Sequence, residues 1–281
     1  MQKSKLLILL VLLASVVFIS IFLSKSASLQ DFFTKKLQSR DVKGASISFK
    51  PKEIVIDGKK RVKYQEDFTI VLLGDSMMER LGNSDELRDN LKNNHPGKTF
   101  EVLNYGFGST NILSVQERLE KDTFFGRVFR PIVEIDFDLI LIESFGHNPL
   151  SAFPLEQGLQ KQTEALDNMV KTIRENNTHT KIVFVATIAP SKKHYAEKIN
   201  NLTPEVRQKW ANERIAYIKN HIEYAKSHNI PAIDVFSKSL GSDGDLNLDY
   251  VNTADYIHPS PKGIKLISDE IGNFIFQNHI L

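Results

Sequence analysis

From Phe68 onward, short apolar runs alternate with longer stretches whose apolar positions recur at helical spacing. The runs are FTIVLLG (68–74), FEVLNYG (100–106), DLILIES (138–144), KIVFVATIA (181–189) and PAIDVF (231–236). The first, third and fourth are almost continuously apolar, the pattern of strands covered on both faces. Helical patterns occupy 83–93, 111–130, about 154–176, 204–228 and 261–278. Within one of them Leu166, Met169, Val170 and Ile173 fall on a single face. Strand–helix alternation predicts a parallel sheet with right-handed crossovers, an α/β domain built as a three-layer α/β/α sandwich over 67–281. Ahead of it, Asp57-Gly58 separates two β-prone runs and predicts a type I′ hairpin within 45–66.

The N-terminus reads differently. Leu6 to Leu23 holds 18 residues with no charge and only two serines. At about 1.5 Å per residue a helix there spans roughly 27 Å, close to the hydrocarbon core of a bilayer. A secretory h-region is shorter, about 7–15 residues. The expectation is therefore an uncleaved transmembrane signal anchor over 6–23. Residues 1–5 form a short basic lead, 24–66 a stalk and the small hairpin. The protein is expected to be single-pass, with its domain on the extracytoplasmic side.

Charge supports that division. Residues 1–43 carry seven basic and two acidic side chains, the remainder 29 basic and 32 acidic. The basic excess thus flanks the apolar segment, which suits a membrane surface better than nucleic acid, whose binders carry basic globular parts. There is no cysteine, so disulfides, thiolate metal sites and cysteine nucleophiles are excluded.

Ligands of parallel sheets bind beyond the carboxyl ends of the strands. Ser76 follows the first strand and opens a helical segment, where a helix N-terminus favours developing negative charge. In Asp255-Tyr256-Ile257-His258-Pro259 the carboxylate and the imidazole are three positions apart, close enough in a turn to be neighbours. A serine nucleophile needs a base, and the base needs an orienting acceptor. Gly108 and Asn148 follow two further strands, where an amide N–H and a side-chain amide could serve an oxyanion. Singly, each has an ordinary alternative: a helix cap, a polar turn, a loop glycine.

Taken in order, GDSMMERLG, NYGFGST, SFGHN and DYIHPSPKG resemble the four blocks of the SGNH hydrolases, the GDSL-type esterase and lipase superfamily. The resemblance covers about 68–275 and implies an SGNH/flavodoxin-like fold. It implies Ser76 as nucleophile, His258 as general base and Asp255 as its partner. Gly108, Asn148 and the Ser76 backbone N–H would form the oxyanion hole, and no cofactor is required. Two positions depart from the family pattern. The second-block glycine stands at 108, and Ser109 occupies the family's usual place, so either N–H could be the donor. Pro149 replaces the aspartate that usually follows the third-block asparagine.

Other motifs are weaker. G-x-S-x-G is absent, because position 78 is Met. Asp243, Asp245, Asn247 and Asp249 alternate like a calcium loop, but Leu248 and Ala254 stand where glycine and glutamate are needed, which predicts a solvated loop. His147 is either a substrate contact beside Asn148 or a plain loop residue. The expected function is a membrane-anchored serine esterase acting on short acyl, chiefly acetyl, esters of small molecules or envelope glycans. Two alternatives stand beside it: a glycan O-acetyltransferase using the same residues, and a non-catalytic domain binding glycan or a partner through the same cleft.

Overall fold

The computed structural model describes residues 51–281. The expected anchor at 6–23 and most of the stalk lie outside the described residues. Among the described residues no helix is long and apolar enough to cross a membrane.

Strands β1 (Lys52–Ile56) and β2 (Lys59–Lys63) pair antiparallel around Asp57-Gly58. Both turn residues have positive φ, 51° and 73°, as a type I′ turn demands. The hairpin is tied to the main domain, because β2 also pairs with the short strand at Ile135–Asp136.

The central sheet contains β3 (Phe68–Gly74), β4 (Phe100–Gly106), β8 (Leu139–Glu143), β9 (Lys181–Ala186) and β10 (Ala232–Asp234), numbered with the short strands β5 (Thr123–Phe124), β6 (Val128–Phe129) and β7 (Ile135–Asp136). Its order is β10-β9-β8-β3-β4 and every pairing is parallel. In β3, Ile70 and Leu72 enter one core and Val71 and Leu73 the other. All four are fully buried, the two-sided burial expected of an interior parallel strand.

One layer holds α2 (Asp85–Asn94) and α7 (Pro261–Gln277), whose Leu87, Leu91, Ile267, Ile271 and Ile275 fill the first core. The other holds α3 (Val115–Glu120), α4 (Leu155–Asn176) and α5 (Pro204–Ser227). There Leu119, Leu166, Met169, Ile173 and Tyr224 fill the second core. Thr203 and Ser260 cap α5 and α7, each followed by a proline at the first helical position. The edge strand β4 is blunted by Arg88, which donates to the carbonyls of Phe100 (2.9 Å) and Val102 (2.7 Å).

One predicted element is corrected. The helix expected over 111–130 stops at Glu120, and β5 and β6 form a hairpin in its place. Gly126 (φ 72°) makes the turn, and the ring of Phe125 stacks on Phe107, with centroids 3.9 Å apart. Aromatic and β-branched residues around a glycine favour that hairpin over another helical turn. The 243–249 loop is corrected in part. Asp245 is buried and accepts from Ser191 Oγ and the N–H groups of Lys192 and Lys193.

Candidate active site

Ser76 ends the β3 turn and begins α1 (Ser76–Glu79), a single helical turn. Asp75 caps it, accepting from Met77 N–H at 2.8 Å. The approach of this turn to β4 needs a glycine at 106. A Cβ there would lie 2.3 Å from Glu79 N and 2.6 Å from the Met78 carbonyl carbon.

His258 is delivered by the loop before α7. Val251 and Pro259 form a bridge across its base, and Asn252 N–H donates to His258 O at 2.7 Å. Within the loop, Asp255 Oδ1 accepts from the N–H groups of Ile257 (2.8 Å) and His258 (3.0 Å). Its Oδ2 lies 2.8 Å from His258 Nδ1. Partial burial pushes the Asp255 carboxyl up, but the hydrogen bonds from the imidazole and the two backbone N–H groups outweigh it and hold the carboxyl below its ordinary value. An ionised Asp255 fixes the proton on Nδ1 and leaves Nε2 free to act as base.

Asn148 follows β8 in a turn closed by its own N–H on Phe145 O, and Phe145 takes a positive φ of 53°. The Asn148 Nδ2 donates to Asp75 Oδ2 at 2.8 Å. One hydrogen of the amide is thereby committed, and the other remains for a ligand.

Ser76, Gly108, Ser109, Asn148 and His258 line one cavity of about 340 Å³ at the carboxyl rim of the sheet. Among the described residues the Ser76 hydroxyl makes no hydrogen bond, to His258 or to any other group. Such contacts are commonly long without substrate and tighten when it binds. Gly108 and Ser109 both reach this wall. Trp210, Tyr195 and Arg214 complete the opposite side. Arg214 Nε donates to Tyr195 Oη at 2.8 Å, and its guanidinium lies over both rings.

Beneath Ser76 lies a buried polar cluster that the sequence alone did not reveal. Glu143 ends β8 and is fully buried. It accepts from Ser144 Oγ at 2.7 Å and, weakly, from Asp75 N–H at 3.4 Å, and its carboxyl meets that of Asp75. Burial and the neighbouring Asp75 charge push Glu143 well above the carboxylate range. Asp75 is raised by burial too, but Met77 N–H, the Asn148 amide and Arg118 favour its ionised form. Burial thus favours the protonated form at Glu143, while hydrogen bonds and Arg118 favour ionisation at Asp75. Arg118, also buried, donates to the carbonyls of Gly74 (2.7 Å) and Tyr105 (3.1 Å) and to Ser114 Oγ. A lone acid closing an otherwise apolar strand was the available signal for Glu143.

His147 is buried, with Nε2 at 3.0 Å from Ile188 O. Burial pushes its pKa down to about 3, so the ring is neutral and serves as a structural donor. Among the described residues no group of three or more His, Asp or Glu is arranged to hold a metal ion.

The model of the GDSL-like lipase/acylhydrolase family matches residues 72–266. Many solved structures share the fold, three of them as follows. A provisionally named acylhydrolase from Bacteroides fragilis aligns with TM-score 0.55 and 17% identity, over 78% of this chain and 91% of its own. A lipase/acylhydrolase from Enterococcus faecalis aligns with TM-score 0.52 and 20% identity, over 75% and 96%. A catalytic mutant of Axe2, an acetylxylan esterase from Geobacillus stearothermophilus, aligns with TM-score 0.52 and 13% identity, over 75% and 95%. At these identities the likeness is one of fold. No curated protein matches the chain.

Proposed function

The chain belongs to the GDSL-like lipase/acylhydrolase family and is a serine ester hydrolase, and from that premise we propose that Ser76, His258 and Asp255 form its catalytic triad. The observation that carries this reading is the 2.8 Å Asp255–His258 pair opening on the same cavity as Ser76 and Asn148.

The Ser76 hydroxyl attacks the acyl carbonyl while His258 Nε2 takes its proton. Negative charge gathers on the carbonyl oxygen. It is met by the Ser76 N–H, the free hydrogen of Asn148 Nδ2 and the N–H of Gly108 or Ser109. Preorganised donors of this kind contribute about 3–4 kcal/mol each to the transition state. His258 returns its proton to the departing alcohol, leaving acyl-Ser76. Water then attacks the acyl carbon with His258 again as base, and the acid departs as Ser76 is regenerated.

The small, largely polar cavity favours a short acyl group, and we assign acetyl. Acetylxylan esterases among the structures of like fold support a glycan hydroxyl as the alcohol component, so that the substrate is an O-acetylated glycan. The apolar segment at 6–23 would tether the enzyme to a membrane, with the domain working on envelope material outside. Fluorophosphonate labelling of the full chain tests the assignment. The modified peptide should contain Ser76, and Ser76→Ala should remove both label and turnover of 4-nitrophenyl acetate. Labelling elsewhere, or activity retained in that variant, would refute it.

A further inference from the structure

The catalytic cavity shares a wall residue with each of two further depressions. On the β4 side a groove of about 560 Å³ shares Glu79 with it, and the groove residue Phe107 directly precedes Gly108 of the cavity. On the other side a groove of about 720 Å³, between the start of α4 and α5, shares Trp210 with it. The Ser76 cavity thus adjoins two depressions, each larger than itself.

Both grooves combine ring faces with polar groups. The first has Phe125, Phe129 and Tyr64 beside Asn83, Glu101 and Arg127. Phe125 has one face stacked on Phe107 and is 40% exposed, so its other face is available as a platform. The second has Trp210 and Phe153 beside Glu205, Gln208 and Asn212. A fatty acyl tail would press an apolar surface on these carboxylates, amides and guanidinium groups and strip them of water without replacement, which is costly. A chain of sugar rings meets both kinds of wall: its C–H faces cover the aromatic rings, and its hydroxyls pair with the polar side chains.

We propose that the three depressions form one cleft that binds a glycan chain across the reacting ester, with sugar units on both sides of the acylated one. This rests on the esterase reading only for where the ester lies. The cleft itself can be tested without turnover.

Full-length Ser76→Ala protein in detergent is titrated with xylo-, cello- and chito-oligosaccharides, as dimers and as hexamers. In at least one series affinity should rise about tenfold or more from dimer to hexamer, as added subsites contribute. Phe125→Leu, which keeps apolar packing but removes the flat face, and Trp210→Ala should each erase about fivefold or more of hexamer affinity and less of dimer affinity. Length-independent affinity, or no binding in any series, overturns the proposal. So does a wild-type preference for 4-nitrophenyl octanoate over the acetate that Phe125→Leu abolishes, since the groove would then hold acyl tails. Absence of 4-nitrophenyl acetate turnover by the wild type would instead count against the esterase reading, and the titrations would still decide the cleft.

Discussion

Asn148 gives one amide hydrogen to Asp75, the residue immediately before Ser76, with Nδ2 and Oδ2 2.8 Å apart. Asp75 simultaneously holds the turn that carries Ser76, through Met77 N–H. Ser76, the proposed nucleophile, and Asn148, the proposed oxyanion donor, are thus aligned by a single carboxylate, although 72 positions separate them in the chain. Asn148→Ala is expected to lower kcat about 100-fold with little change in KM. Asp75→Ala should do likewise, and the double variant should lose little more than either single one, because both remove the same alignment. Steady-state kinetics on 4-nitrophenyl acetate measure this, and additive losses would sink the shared role.

The Asp255–His258 pair predicts a graded series. His258→Ala should lose activity nearly as completely as Ser76→Ala, while Asp255→Asn should be milder, since the base itself survives. The lowered Asp255 carboxyl also affects stability. A group depressed in the native state contributes stability that is present above its ordinary value of 3.8 and is lost as pH falls through the native value. The melting-temperature advantage of wild type over Asp255→Asn should be constant near neutrality and shrink in acid. An advantage independent of pH would contradict the pairing.

Glu143 carries the opposite sign. Its raised native value means that the folded protein keeps a proton that the unfolded chain surrenders above about 4.5. Stability is therefore lost progressively as pH climbs from there toward the native value. Glu143→Gln, which resembles the protonated acid, should gain on wild type as pH rises above about 4.5 in thermal unfolding and keep most of the activity. Glu143→Ala should lose both stability and kcat, because Ser144 and Asp75 lose their partner. A pH-independent difference for the glutamine variant would show that Glu143 is ionised in the native state.

Two neighbouring glycines separate packing from chemistry. Gly106→Ala drives a Cβ into backbone atoms of Met78 and Glu79 and should cost about 3 kcal/mol or more. Gly108→Ala meets only the Glu79 carboxylate, 2.6 Å away at the end of a flexible side chain. It should cost about 1 kcal/mol or less, because that side chain can swing aside. Denaturant unfolding of both variants gives the comparison, and equal losses would mean that Glu79 is held rigidly over Gly108.

Much of the architecture was legible in the chain. Near-continuous apolar runs identified β3, β8 and β9 as strands covered on both faces, Asp57-Gly58 identified the hairpin, and the order of elements implied a parallel sheet with its chemistry at one rim. These follow from local periodicity and turn chemistry, which a residue carries wherever the chain goes. The 111–130 segment escaped because its apolar spacing suits either a helix or a hairpin. Packing of Phe125 on Phe107 accompanies the hairpin, and that contact is invisible to a periodicity count. Asp245, a solvated residue by its neighbours, is buried because the 191–193 loop folds over it from 52 to 54 positions away.

What the sequence by itself determined was which residues reach the sheet's rim and which are capable of nucleophilic catalysis. What only the tertiary structure decided was their partners: Asp75 on Asn148, the raised Glu143 carboxyl against Asp75, the buried His147 on the Ile188 carbonyl, and the two grooves that share a wall residue with the Ser76 cavity. The reason is that burial and hydrogen-bond partners depend on crossover connections that bring distant segments together. A carboxylate's charge state is then set by neighbours it acquires only on folding.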